Sequence, residues 1–264
     1  MSHILTELDG TTAIITLNRP DKHNAFDDVL INELTEQLLA LEQIAEVRAV
    51  VLSASGKSFS AGADLNWMKR MAAYSQAENS TDAMALAKLM STLHQLSKPT
   101  IARVQGAAYG GGVGLIACCD MAVGTQDAAF ALSEVRLGLI PAVISPYVVA
   151  AIGQRAARRY FLTGERFNAA EGYRLGLLSD LCNSEEDMDE KLGELIAAVM
   201  ASGPNAIGEA KSLITAVANQ PITDKLIADT AQRIAKVRVS VEGQEGLQAF
   251  IQKRKPAWAE TTLE

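Results

Sequence analysis

Three short apolar runs, TAIITL (12–17), RAVVLSA (48–54) and PTIARVQG (99–106), interrupt a chain that is otherwise mixed in character. Each is rich in β-branched residues and lacks apolar/polar alternation, the pattern of a strand buried on both faces. Between the first two lies DDVLINELTEQLLALEQI, in which Leu30, Leu34, Leu38 and Leu41 recur at spacings of four, four and three. That spacing puts one apolar stripe on a helix. A second helix is expected over 79–97, stopped by Pro99. Strand, helix, strand, helix, strand implies parallel strands joined by helical crossovers.

From about residue 190 the pattern turns helical throughout, in EKLGELIAAVMAS, PNAIGEAKSLITAVAN, ITDKLIADTAQRIAKVRV and VEGQEGLQAFIQKRKPAW, with Pro204 and Pro221 near starts. The expected division is an α/β core over 1–195 and a helical C-terminal region over 196–264. No internal repeat, low-complexity run or linker tract breaks it.

Composition narrows the function classes. The 264 residues are 48% hydrophobic and 21% charged, enough to bury a large core. A net charge of −7 repels polyanions, so nucleic acid is not an expected partner without a local basic patch. Cys118, Cys119 and Cys182 form an odd set with two adjacent members, which suits neither a disulfide framework nor a zinc site. They read as reduced core thiols. The opening MSHILTELDG has no cationic region followed by an apolar stretch, and no run reaches about 18 uncharged apolar residues. A soluble, cytoplasmic protein without a membrane span is expected.

Three segments carry candidate chemistry. In AAYGGGVGLIACCD (107–120) a strand ending near Gln105 is followed by Gly110, Gly111 and Gly112 and then by residues suited to a buried helix. A glycine turn opening a helix presents unpaired N–H groups and the positive end of the helix dipole, which favour a phosphate or a transient oxyanion. The spacing fits neither GxGxxG after a first strand nor GxxxxGK[ST], which disfavours phosphate; glycines serving only close helix packing remain the plain alternative. In GKSFSAGADLNWM (56–68), Ala61, Gly62 and Ala63 end a second strand, and two such ends can each lend one N–H to a shared pocket. The alternative is a turn capped by Asp64. In AAFALSEVRLGLIPAVISPYVV (128–149), Glu134 is the one carboxylate, and burial among Leu132, Val135, Leu139 and Ile140 would raise its pKa into a range useful for proton transfer. The alternative is a solvent-facing strand position paired with Arg136.

Taken in series, NRPDKHNAF (18–26), SFSAGADL, QGAAYGGGVGLIACCD, SEVRLGLIP and EGLQAFIQKRKPAW resemble the crotonase (enoyl-CoA hydratase/isomerase) superfamily over essentially the full chain. The resemblance implies an α/β fold, a crotonase-like spiral of ββα units with a C-terminal helical trimerisation region, and a homotrimer or a hexamer made of two trimers. It implies an acyl-CoA thioester as substrate, with coenzyme A part of that substrate and no further cofactor or metal. Matched position by position, the family's two oxyanion-hole amides fall on Ala63 and Gly111. Lys22, His23 and Ala25, with Ala61, Asp64 and Leu65, match its CoA-binding parts, and Phe250 and Lys253 match positions that reach a neighbouring subunit's CoA.

One departure bears on the reaction. Family hydratases commonly carry two glutamates; here the first place holds Gly114, counted with the substrate-binding positions, and the second holds Glu134. Hydration asks for activated water and a protonated Cα, whereas moving a double bond asks for one group. A lone glutamate therefore leaves a Δ3,Δ2-enoyl-CoA isomerase open. FSAGADLNWM, GGGVGLIACCD and LSEVRLGLIPAVISPYV look like the bacterial methylglutaconyl-CoA hydratases and their relatives acting on isohexenylglutaconyl-CoA. This resemblance points to hydration of 3-methylglutaconyl-CoA or a related branched enoyl-CoA, with Arg136 or Lys69 as weak candidates for reading the substrate's second carboxylate. Two non-enzymatic alternatives are an acyl-CoA-binding scaffold, suggested by Gly114, and an RNA-binding homologue, opposed by the acidic charge.

Overall fold

A computed structural model describes residues 2–259. It opens with a hairpin, β1 (Ile4–Asp9) and β2 (Thr12–Leu17), paired antiparallel, and a 3-10 turn at Pro20–Lys22 leads to α1 (Asp28–Glu42). Then come β3 (Ala49–Ala54), β4 (Ser58–Ser60), α2 (Leu65–Met71), α3 (Gln76–Gln95), β5 (Thr100–Val104), β6 (Ala107–Tyr109), α4 (Gly111–Cys118), β7 (Met121–Thr125) and β8 (Ala129–Ala131). A 3-10 helix at Glu134–Leu137 precedes α5 (Ser145–Thr163), β9 (Arg166–Asn168), α6 (Ala169–Leu175), β10 (Asp180–Cys182) and α7 (Glu185–Met200). Helices α8 (Pro204–Val217), α9 (Asp224–Arg238) and α10 (Val241–Gln252) and a 3-10 turn at Ala257–Ala259 complete the described chain.

The strands divide between two sheets, ordered β1-β2-β3-β5-β7-β10 and β4-β6-β8-β9. Successive passes place one strand in the large sheet, one in the small sheet, and then a helix: β3-β4-α3, β5-β6-α4, β7-β8-α5. This is the expected spiral of ββα units, and the pairings of β2 with β3, β3 with β5 and β5 with β7 are parallel as the crossovers require. The leucine stripe of α1 is buried and packs with Leu89, Met90 and Leu93 of α3 in the main core. No helix of the described residues is long and apolar enough to cross a membrane.

Several expectations need correction. The hairpin strand β1 carries no buried-strand signal because five of its six residues face solvent. Helix α3 starts at Gln76 rather than 79, since Ser75 and Glu78 form a reciprocal capping box. Strand β6 separates Gln105 from the glycines. The boundary expected at 195/196 falls inside α7, because Met188, Leu192, Leu195 and Ile196 pack on Ile101 and Val123 of the large sheet. The core therefore runs to the end of α7, where Gly203 precedes α8. Arg48 fastens that junction, donating to the carbonyls of Met200 at 3.1 Å, Ser202 at 2.6 Å and Trp258 at 3.2 Å.

Beyond the junction burial is sparse. Ile222, Val239, Val241, Phe250 and Ile251 are each at least 70% exposed, so the tail leaves several large apolar side chains uncovered. The three cysteines are free; burial pushes the Cys118 thiol far up and Cys119 to about 12, as core thiols require.

Candidate active site

The two small-residue segments meet. Phe26 N donates to Gly62 O at 2.6 Å and Asp64 N donates to Phe26 O at 2.7 Å, an isolated parallel bridge between Phe26 and Ala63. In such a ladder the residue flanked by both bonds turns its own N–H to the other side. Gly62 in this bridge comes close to β6: a Cβ on it (φ +86°) would stand 3.0 Å from Tyr109 O. Gly111 is the first residue of α4, where the N–H has no intrahelical acceptor. Among the described residues neither the Ala63 nor the Gly111 N–H is given to a protein acceptor.

The three glycines answer to three different neighbours. Gly110, with φ +50° and its N–H donated to Ala131 O at 2.9 Å, would put a Cβ 2.8 Å from Glu134 Oε1. At Gly111 a Cβ would meet the Phe26 ring at 3.1 Å, and at Gly112 the Ser60 carbonyl at 2.7 Å. Close packing and an open N–H at a helix start are thus both true of this turn.

Glu134 opens a 3-10 helix, not a strand, and Gly138 ends that helix in the left-handed region. Its Oε2 is buried without a hydrogen-bond partner, and burial raises the carboxyl above the ordinary glutamate range. The surroundings differ from those expected: Leu132 is buried, but Leu139 and Ile140 are exposed, and the close neighbour is the backbone of Gly110. Arg136 does not pair with it. The Arg136 side chain lies against Gly164 and its Nε reaches the Thr163 carbonyl at 3.5 Å. Lys69 is exposed on α2. Gly114 is buried under Ile144 and Met90.

The segment 22–26 lies along 58–64. Ala61 N donates to His23 O at 2.9 Å, His23 Nδ1 lies 3.1 Å from Ser58 Oγ, and Lys22 Nζ donates to Asp64 Oδ2 at 3.2 Å. Ala25 is buried and Leu65 is exposed. Asp64 is the N-cap of α2, as the plainer reading had it. Burial opposes its charge, yet the N–H groups of Asn66 and Trp67 and the Lys22 ammonium hold its carboxyl below the usual range. Phe250 and Lys253 sit exposed at the end of α10, where Lys253 takes the left-handed C-cap.

Other residues that build the site escaped sequence reasoning. Arg19, buried, bridges Asp27 at 2.8 Å and Asp64 at 3.3 Å. Asn24 (φ +52°, fully buried) accepts from Arg19 N and donates to the Ser55 and Ser58 carbonyls at 2.8 and 2.9 Å. An asparagine that tolerates the left-handed region beside a prolyl turn was the available signal. Gln105 Nε2 ties the Ala54 and Gly56 carbonyls, both at 2.9 Å, and Ile144 has no signal outside the tertiary structure.

The family described as "Enoyl-CoA hydratase/isomerase" matches residues 7–261. The crystal structure of an enoyl-CoA hydratase from Shewanella pealeana superposes with a TM-score of 0.94 at 46% identity, covering 97% of this chain and 96% of that one. The mitochondrial enoyl-CoA hydratase of Pongo abelii is 32% identical over 266 residues, 96% of this chain and 86% of that one. The 2,3-dehydroadipyl-CoA hydratase of Escherichia coli (strain K12) is 29% identical over 257 residues, 97% of this chain and 98% of that one.

Proposed function

The chain belongs to the enoyl-CoA hydratase/isomerase family, and on that premise we propose that it adds water to an α,β-unsaturated acyl-CoA thioester with Glu134 as its one acid/base. Glu134 takes a proton from water, the hydroxide oxygen bonds to Cβ, and the Cα=Cβ pair moves into an enolate whose oxygen accepts from the Ala63 and Gly111 N–H groups. Glu134 then returns the proton to Cα, leaving the β-hydroxy thioester. Preorganised N–H donors stabilise the enolate without reorganising, and a desolvated carboxylate is a stronger base. Lys22, His23, Ala25, Ala61, Asp64 and Leu65 line the way in for the CoA moiety, and no separate cofactor takes part.

What supports this reading is Glu134 Oε1 against the Gly110 turn beside the unclaimed Gly111 N–H, with Ala63 bridged to Phe26, whose ring lies against Gly111. Within the class we assign 3-methylglutaconyl-CoA or a close branched relative, supported by the resemblance of the three motif stretches and by a relative named for an enoyl-CoA with a second carboxylate. Isomerisation of a 3-enoyl-CoA is the second reading, favoured by the apolar filling at Gly114. Incubation with 3-methylglutaconyl-CoA, crotonyl-CoA and a 3-enoyl-CoA decides between them. Gain of water supports hydration, unchanged mass with a moved double bond supports isomerisation, and thioester binding without either product leaves a scaffold.

The uncovered apolar tail supports a trimer, or two trimers as a hexamer, in which Phe250 and Lys253 reach a neighbour's CoA. The free thiols of Cys118, Cys119 and Cys182 support a reducing, cytoplasmic setting.

A further inference from the structure

We propose that the arginine-lined cleft between α5 and α6 is a second ligand site, separate from the candidate active site, that binds a small molecule carrying two or more phosphoryl groups. The inference goes beyond the hydration reading and does not depend on it.

The cleft has a volume of about 720 Å³, within the range of small-molecule sites, and four guanidinium groups line it: Arg155, Arg158 and Arg159 from α5 and Arg174 from α6. None of the four belongs to the segments that build the candidate active site. Arg155 precedes Arg158 by three residues and Arg159 by four, spacings at which like charges on one helix repel. The cluster therefore works against the stability of α5.

Protein partners answer only half of this charge. Arg159 Nε donates to Glu165 Oε1 at 2.6 Å, and Arg174 donates to Glu171 through Nε at 2.6 Å and Nη2 at 2.7 Å. Arg155 and Arg158 have no hydrogen bond or ion pair among the described residues. The pairs that do form shape the cleft without filling it. Tyr160, 2% exposed, donates its hydroxyl to Glu171 Oε1 at 2.8 Å, so a buried ring anchors the carboxylate that holds Arg174. Both paired arginines bond through Nε and Nη2, which leaves each Nη1 unclaimed.

Two open guanidinium groups and two open Nη1 groups offer more donors than one carboxylate accepts, and the guanidinium fork matches phosphoryl oxygens in pairs. A ligand with at least two phosphoryl groups satisfies them. Ile152, Leu162 and Leu175 add apolar lining, which suits an organic body beside the phosphates. Inorganic pyrophosphate and a nucleoside diphosphate share the required chemistry and differ in that body.

The test titrates inorganic pyrophosphate and, separately, ADP into the full-length protein by calorimetry at low ionic strength, where charge pairing is least screened. Wild type is expected to bind both, and Arg155→Ala combined with Arg158→Ala to weaken both by about tenfold or more, the scale of losing a hydrogen bond to a charged group. Arg155→Lys combined with Arg158→Lys should weaken them less, since the charge remains and only the fork is lost. All these side chains are exposed, and circular dichroism checks that the variants keep the fold. Tighter binding of ADP than of pyrophosphate assigns the apolar lining to a nucleoside; equal binding assigns the site to phosphoryl groups alone. Lys22→Ala, in the segment matched to CoA binding, should leave both affinities unmoved. No binding of either probe to wild type at millimolar concentration, or affinities unchanged in the double alanine variant, overturns the site. Affinity lost in Lys22→Ala overturns its separateness from the candidate active site.

Discussion

Glu134 and Gly110 pack so closely that a Cβ on the glycine would stand 2.8 Å from the carboxylate Oε1. The glycine turn that frees the Gly111 amide is thus the same turn that admits the carboxylate. Gly110→Ala is expected to displace Glu134 and strain a backbone at φ +50°, lowering kcat by about a hundredfold, the scale of an ångström-sized misplacement. Steady-state kinetics with acyl-CoA affinity measured alongside separates this from lost binding; unchanged kcat would contradict the geometry.

Under the proposed mechanism Glu134→Gln removes the proton carrier and should cut turnover by about 10² to 10⁴ while thioester affinity holds. Near-normal turnover on every enoyl-CoA tried would end its assigned role.

Burial also sets a pH signature. Since Glu134 is desolvated when charged, its folded pKa lies above its unfolded one. Stability is therefore full below the unfolded pKa and falls as pH rises through the folded value. Glu134→Gln should accordingly raise Tm at neutral pH but not at pH 4. In wild type the acid limb of kcat/KM should lie above the ordinary glutamate range.

Arg19 neutralises Asp27 and Asp64 beneath the 22–26 segment. Arg19→Ala leaves two partly or fully buried carboxylates without their shared cation and should cost about 3–5 kcal/mol, the scale for breaking a buried pair. Urea unfolding followed by circular dichroism measures it; a loss under 1 kcal/mol would show that Lys22 and solvent suffice.

On the tail, Phe250→Ser should shift sedimentation toward smaller species if the exposed face of α8–α10 joins subunits. An unchanged distribution would place the contact elsewhere.

What the order of residues settled by itself was periodic and local. The runs at 12–17, 48–54 and 99–106 read as buried strands and hold β2, β3 and β5, and the Leu30 to Leu41 stripe reads as a core face, because burial leaves its mark in residue type and repeat spacing. Asp64 as a cap and the helix opening at the glycines follow from neighbours within three or four residues. Decisions between distant segments lay beyond that reach. Ala63 and Gly111 are linked through Phe26, which bridges Ala63 and lays its ring against Gly111. Glu134 Oε1 packs against Gly110, while Leu139 and Ile140 stay exposed and Arg136 turns to Thr163. Residue 195 belongs to the core because α7 lies on the large sheet. The isoleucine packed over Gly114 is thirty positions away from it in the chain, and only packing brings the two together. Local spacing specifies which face a residue takes; what that face meets is settled by close packing of the whole molecule.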